Sequence, residues 1–135
     1  MFDLGIKILV VDDMFAMRKL VTKVCKEIGF KDFTEAADGA IAWQLIQESK
    51  PPFDLIISDW NMPNSSGLDL LKRVRADSRF KTLPFLMVTA EAEQSQVAQA
   101  IKLGVSNYMI KPFTSEGLKD KLEAIHKKIQ SAKAA

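Results

Sequence analysis

The feature that most constrains the fold is an alternation of short apolar, β-rich runs with segments of helical periodicity. We predict strands at Ile6–Val11, Phe33–Ala36, Phe53–Ser58, Pro84–Thr89 and Asn107–Ile110. Regular alternation of strand and helix favours a parallel sheet, with right-handed crossovers that place helices on both faces. The predicted fold is therefore a doubly wound α/β domain.

Each predicted strand can be followed by an amphipathic helix. The first helix is the clearest, because Gly29 stands where a left-handed C-cap is expected. Its inward stripe is predicted to consist of Met17, Leu20, Val21, Val24, Cys25 and Ile28. The later helices are predicted at Gly39–Ser49, Gly67–Ala76, Ala92–Leu103 and Ser115–Gln130, with a frayed end at Ser131–Ala135.

Two helices carry more specific expectations. Helix four should be the most loosely anchored, because Val97, Ala98 and Ile101 offer only a thin apolar face. His126 lies among lysines of helix five, and no second histidine accompanies it in the chain. We therefore expect a solvent-facing imidazole there and not a metal ligand.

Composition bounds the class of protein. With 135 residues, 47% of them hydrophobic, the chain can bury one core, and we predict a single domain over residues 1–135. Cys25 has no partner for a bridge, which predicts a buried structural thiol in a reducing compartment. No apolar run is long enough to span a bilayer, so we expect a cytoplasmic protein without a membrane partner. We also expect a monomer. The net charge of +2 is scattered, which disfavours nucleic-acid binding.

Polar residues stand at the ends of four predicted strands. Asp12 and Asp13 follow the first, Asp59 the third, Thr89 ends the fourth and Lys111 follows the fifth. Each alone has an ordinary explanation, since an aspartate can cap a helix or a turn and a lysine can be solvated. Because the carboxyl ends of parallel strands share one edge, where ligand sites of such sheets lie, we expect these side chains to converge.

Convergence of three carboxylates has a chemical consequence. They would repel one another and raise a pKa unless a cation lay among them. Mg²⁺ prefers such oxygen ligands and commonly combines one or two carboxylates with phosphate oxygens. Lys111 could then bind one phosphoryl oxygen, and the Thr89 hydroxyl another.

Four stretches carry a family resemblance. They are Val10–Asp13, Ser58–Asn64 with the following Gly67 and Leu68, Met87–Ala92, and Lys111–Thr114. These stretches resemble the motifs of response-regulator receiver domains, and among those the chemotaxis regulators of the CheY type. The likeness runs from about Ile6 to Ile129. It implies a flavodoxin-like, five-stranded parallel sheet of order 2-1-3-4-5 with five helices.

The resemblance implies roles for the residues at the strand ends. Asp59 would be the phosphoacceptor and, with Asp13 and the backbone carbonyl of Asn61, a direct Mg²⁺ ligand. Asp12 would bind the metal through water. Lys111 would contact the phosphoryl group after transfer, and the Lys111–Pro112 bond would be cis.

The resemblance also implies a switch and a set of partners. As the Thr89 hydroxyl moves toward the phosphate, the Tyr108 ring would swing inward, although a half-buried strand tyrosine is the ordinary alternative. The expected partners are a chemotaxis histidine kinase, the flagellar motor switch protein and, as a further candidate, a phosphatase. The docking face would include Ala92, Tyr108 and Lys121. No output domain follows helix five, so we expect signalling through this face.

Departures from the family leave partner identity open. Glu93 and Gln94 open helix four where lysines are expected, and Phe15 would border the approach of kinase and phosphatase. Residues matching Asn61 and Glu91 tune the lifetime of the phosphate in the family. The chain is therefore expected to be a signalling protein that promotes its own phosphorylation and dephosphorylation, and not an enzyme with a separate substrate.

Three alternatives remain at this point. A phosphorelay shuttle would use the same site with another partner. A phosphohydrolase of the haloacid-dehalogenase type is disfavoured, because it needs a second acid two residues after its nucleophile, a spacing that neither Asp12 nor Asp59 has. A docking module that takes no phosphate is disfavoured by the intact set of acids, threonine and lysine.

Overall fold

The computed structural model describes residues 2–90 and 94–134, where five strands alternate with five helices. The strands are β1 (Lys7–Val11), β2 (Asp32–Ala36), β3 (Leu55–Asp59), β4 (Phe85–Thr89) and β5 (Asn107–Ile110). The helices are α1 (Phe15–Ile28), α2 (Gly39–Glu48), α3 (Gly67–Ala76), α4 (Gln94–Lys102) and α5 (Ser115–Ala134). Within the described part of the chain, no helix combines the length and apolar character needed to cross a membrane.

The sheet is parallel throughout and has the order β2-β1-β3-β4-β5. This confirms the predicted doubly wound, flavodoxin-like fold. The strand order reverses between β1 and β3, and in such sheets the crevice beyond the carboxyl ends at this point is where ligands bind. The residues that end β1 and β3 therefore lie at the natural position for a site.

Two apolar clusters cover the two faces of the sheet. On one face Ile8 and Val10 of β1 pack in a cluster with residues of α1 and α5. On the other face Leu9 and Val11 pack with residues of α2, α3 and α4. The alternation of neighbouring β1 residues between the clusters follows from the two-residue period of a strand, and burial on both faces explains the continuous apolar run.

The predicted inward faces of two helices need correction. In α1, Leu20 is 41% exposed, whereas Thr22 is buried. In α4, Ala98 is exposed and Ile101 is 60% exposed, while Val97 is half-buried and Ala100 fully buried. In both helices a small or polar residue faces the protein. Apolar character alone therefore gave the wrong rotation of α4, where the small side chain of Ala100 packs in the core cluster.

Other local predictions had mixed outcomes. α5 continues to Ala134, four residues beyond its predicted end at Gln130. His126 is half-buried, with its ring centroid 5.1 Å from that of Phe2, so the solvent-facing prediction was wrong. Burial of the Cys25 thiol raises its pKa to about 12, which agrees with a structural and unreactive cysteine.

Candidate functional site

The register of β1 and β3 brings the predicted carboxylates together. Val11 pairs with Ser58, so Asp12 and Asp59 follow at the same edge of the sheet. Carboxylate oxygens of Asp12, Asp13 and Asp59 all lie within 4.8 Å of one another. Asp12 is 3% exposed and Asp59 9%, whereas Asp13 is open to solvent. The cluster thus has a buried floor and an accessible side.

Lys111 joins this acidic cluster from the end of β5. Its Nζ donates to Asp12 Oδ2 and to Asp59 Oδ1, at 3.2 Å in each case. Three carboxylates and one ammonium leave a formal charge of −2 at the site. One divalent cation would neutralise that charge, and an all-oxygen donor set with a solvent-facing side suits Mg²⁺.

The Asp59 carboxylate has a perturbed environment. Burial raises its pKa above the usual value, and the neighbouring Asp12 carboxylate raises it further, while Lys111 and the Trp60 N–H oppose both effects. Asp59 Oδ1 accepts from Trp60 N at 2.9 Å as well as from Lys111 Nζ. Among residues 2–90 and 94–134, no donor bonds Asp59 Oδ2, which leaves that oxygen available to a ligand.

The backbone around the first acid pair is fixed by several hydrogen bonds. Asp12 N donates to Ala36 O at 3.1 Å, and Asp12 Oδ1 accepts from Met14 N at 2.9 Å. Met14 is the N-cap residue of α1, and its side chain makes no capping hydrogen bond. The explanation of Asp12 or Asp13 as the N-cap residue of α1 is therefore wrong, because Met14 occupies that position.

Thr89 and Lys111 reach the same edge through β4 and β5. Val88 pairs with Asp59, which puts Thr89 one residue beyond the acid along the neighbouring strand. Thr89 is 3% exposed, and its carbonyl oxygen accepts from Lys111 N at 2.8 Å. The Lys111–Pro112 bond is cis, as the family resemblance implied. The structure thus brings these two residues to the strand ends that carry the acids.

The loop after β3 carries Asn61, which is exposed and lies two residues beyond Asp59. This loop is fastened to the start of α2. Asn64 Nδ2 donates to Asp38 Oδ2 at 3.3 Å, and Gly39 N donates to the carbonyl oxygen of Ser65 at 3.2 Å. The position of the Asn61 backbone carbonyl as a metal ligand remains a prediction.

Tyr108 lies apart from the acids, in the middle of β5. It is half-buried, pairs with Met87 across the sheet, and has Lys121 Nζ 5.3 Å from its ring centroid. Two members of the predicted docking face, Tyr108 and Lys121, are therefore in contact. The third member, Ala92, lies outside the described residues, as do Glu91 and Glu93.

Three residues near the site, Arg18, Glu35 and Gly67, were not assigned the contacts described below from sequence. Arg18 Nη1 donates to the Asp12 carbonyl oxygen at 2.7 Å, and Arg18 Nε donates to Glu35 Oε1 at 3.1 Å. A Cβ on Gly67 would lie 2.1 Å from the Asp59 carbonyl oxygen, so only glycine allows α3 to start this close to the acid. Gly67 was visible within a motif, whereas a bond from a side chain to a backbone carbonyl, such as that of Arg18 to Asp12, leaves no sequence signal.

Comparisons with known proteins agree with this geometry. The family model of the response regulator receiver domain matches residues 8–123. The chain is 45% identical to the chemotaxis protein CheY of Pseudomonas aeruginosa over 91% of its own length and 98% of that protein. It is 44% identical to CheY-3 of Vibrio cholerae, covering 93% of this chain and 95% of the relative. The solved structure of Vibrio cholerae CheY4 is similar with a TM-score of 0.81 and 34% identity, over 90% of this chain and 98% of that one.

Proposed function

The chain belongs to the response regulator receiver domain family, and on that premise we propose that it is a phosphate-accepting chemotaxis regulator with Asp59 as the acceptor. The observation that carries the proposal is the acidic cluster bridged by Lys111, whose Nζ lies 3.2 Å from both Asp12 and Asp59. The chemotaxis role is supported by relatives named as CheY proteins. The chain would act as one cytoplasmic, monomeric receiver domain.

Phosphoryl transfer would begin at Asp59 Oδ2, to which no donor in the described part of the chain is bonded. Because Oδ1 accepts from Trp60 N and Lys111 Nζ, we assign the attack on phosphorus to Oδ2. It attacks in line, a P–O bond forms to Asp59 as the P–N bond of a kinase phosphohistidine breaks, and the departing imidazole nitrogen keeps the electron pair of that bond and takes a proton from solvent. Acetyl phosphate would react in the same way through cleavage of its acyl P–O bond.

The other residues of the site would hold the metal and the transferred group. Asp13, Asp59 and the Asn61 carbonyl would bind Mg²⁺ directly, and Asp12 through water. When bound, Mg²⁺ neutralises charge on the phosphoryl oxygens and orients them. Lys111 would exchange its contact with the carboxylates for one with a phosphoryl oxygen, and the Thr89 hydroxyl would donate to another.

The output would be a change in the face that includes Tyr108 and Lys121. Phosphorylation adds about −1.5 to −2 of charge at Asp59. As the Thr89 hydroxyl turns to the phosphate, the half-buried Tyr108 ring would move inward and change the surface beside Lys121. We assign this surface to docking of the flagellar motor switch protein, with Ala92 placed there by sequence alone. The phosphodonor would be a chemotaxis histidine kinase, and a phosphatase would reset the switch.

Trp60 provides a test of this proposal, because it directly follows Asp59 and is only 7% exposed. We expect its fluorescence to change when Mg²⁺ is added and again when beryllofluoride, a phosphoryl mimic, follows. In Asp13→Ala the Mg²⁺ step should require much higher metal concentrations. Trp43 packs edge-on against Phe80, away from the acids, and supplies a constant background. Absence of both fluorescence steps in a folded wild-type protein would contradict the proposal.

A further inference from the structure

Arg18 links the first acid of the site to the neighbouring strand. Its Nη1 donates to the carbonyl oxygen of Asp12 at 2.7 Å, while its Nε donates to Glu35 Oε1 at 3.1 Å. Only 15% of the Arg18 side chain is exposed. Lys19 Nζ donates to the second oxygen of Glu35 at 2.6 Å, so that carboxylate is held from two sides. These contacts fix the guanidinium in one orientation.

The contact with Asp12 lies at a sensitive place. The peptide group that Arg18 holds joins Asp12 to Asp13, the two acids that β1 contributes to the cluster. The preceding N–H of Asp12 is bonded to Ala36 O of β2. Glu35 also belongs to β2, so both anchors of this peptide segment depend on the same strand. A planar guanidinium suits this task, because it can donate to two acceptors in fixed directions.

Resting on the proposed function, we propose that Arg18 is a positioning residue that sets the direction of the Asp12 and Asp13 carboxylates for Mg²⁺ through the Asp12 carbonyl. It touches neither the metal nor the phosphate. Glu35 keeps Arg18 in place through the bond to Nε. Partners of metal ligands that act in this indirect way commonly change metal affinity by about 10- to 100-fold when removed.

The sign of the effect separates positioning from electrostatics. Arg18 carries a positive charge next to a site for a cation, so a role through charge alone predicts tighter Mg²⁺ binding when the charge is removed. Positioning predicts weaker binding, because the acid pair would sample directions that do not converge. We therefore expect Arg18→Ala to weaken Mg²⁺ binding by about tenfold.

Lys19→Ala is the matched control. Lys19 belongs to the same helical turn, contacts the same Glu35 carboxylate and lies near the same Phe15 ring, but it has no bond to Asp12. Its removal should leave Mg²⁺ affinity within about twofold of wild type, because the exposed ammonium is screened by solvent. Arg18→Lys keeps the charge but cannot bond Asp12 and Glu35 in one fixed fork, so it should weaken binding to an intermediate degree.

A measurement on the metal-free protein complements the titrations. The Met14 amide donates to Asp12 Oδ1 at 2.9 Å, so its hydrogen exchange reports the geometry of the acid loop before any metal binds. We expect faster exchange at Asp12 and Met14 in Arg18→Ala, with unchanged exchange in the C-terminal half of α1. Glu35→Ala should reproduce part of the effect, and combining it with Arg18→Ala should add little, since the two residues form one chain of contacts.

The outcomes distinguish this inference from the proposed function. If the wild-type protein binds no Mg²⁺, the proposed function itself fails. If wild type binds Mg²⁺ but Arg18→Ala binds it equally well or more tightly, the positioning role is wrong while the proposed function stands. Equal loss of affinity in Arg18→Ala and Lys19→Ala would also overturn the positioning role, because it would trace the effect to the shared Glu35 contact or to charge.

Discussion

Replacing Lys111 with methionine should destabilise the metal-free protein, and added Mg²⁺ should restore most of the lost stability. Lys111 Nζ donates to Asp12 and Asp59 at 3.2 Å each, and the three side chains are 17%, 4% and 11% exposed. A hydrogen bond to a charged group contributes about 1.5–3 kcal/mol, and the variant loses two such bonds. Part of this loss is offset, because the charged ammonium of Lys111 no longer has to be removed from water. We expect a net loss of about 2–4 kcal/mol in the free energy of unfolding at pH 7.

The loss converts to an observable shift in thermal melting. For a chain of this size 1 kcal/mol corresponds to about 3–5 °C, so Tm should fall by about 10 °C without metal. Saturating Mg²⁺ should remove most of the difference from wild type, because the metal supplies the positive charge that Lys111 no longer provides. Lys72→Met, at an exposed lysine of α3, controls for loss of a surface charge.

The pH dependence adds a second check on the same variant. Lys111 lowers the Asp59 pKa, so without it the pKa should lie higher still. As pH falls, Asp59 of the folded variant takes up a proton, which removes its uncompensated charge. The difference in the free energy of unfolding between wild type and variant should therefore become smaller below that pKa. An unchanged metal-free Tm at pH 7, or a deficit that Mg²⁺ leaves intact, would refute compensation of the acids by Lys111.

Two further predictions follow from the same groups. Asp59→Asn should stabilise the metal-free protein at pH 7, because burial and Asp12 raise the Asp59 pKa and thus penalise its charged form. The gain in stability should vanish as pH falls below the ordinary aspartate value of 3.8, where Asp59 of the wild type is protonated in both the folded and the unfolded state. Thermal melts across pH decide it, and a gain that grows on acidification would be contrary to it. Thr89→Ala should still accept phosphate but lose the coupling to Tyr108. Shifting a population from 1:99 to 99:1 takes about 5.5 kcal/mol, of which a hydroxyl bond supplies about 1–2 kcal/mol. Activation by beryllofluoride should therefore improve binding of a motor-switch peptide by about tenfold less than in wild type, and full activation in the variant would exclude this route.

Sequence reasoning identified the parts of the protein in which local pattern and tertiary structure agree. The strands of the sheet are short apolar runs, and parallel pairing forces their ends to one edge. Asp12, Asp59 and Lys111 could thus be placed together before any coordinates were known. The order of the strands came from the family resemblance, since periodicity alone does not distinguish one doubly wound order from another.

Features that depend on side-chain volume or on distant contacts were missed. α4 contains two alanines, Ala98 and Ala100, and the apolar pattern did not distinguish the face of one from that of the other. His126 was judged by its lysine neighbours in sequence, whereas its ring packs on Phe2 from the opposite end of the chain. Arg18 received no assignment from sequence, because its bond to a backbone carbonyl leaves no mark in the residue pattern. None of these contacts leaves a local pattern.

The most direct test of the central claim is the location of phosphate after treatment with a phosphodonor. Wild-type protein, Asp59→Asn and the control Asp120→Asn, at an exposed aspartate of α5, would be incubated with Mg²⁺ and acetyl phosphate and analysed by intact-mass spectrometry. One phosphate per chain is expected on wild type and on Asp120→Asn, and none on Asp59→Asn. A full adduct on a folded Asp59→Asn protein would show that Asp59 is not the acceptor.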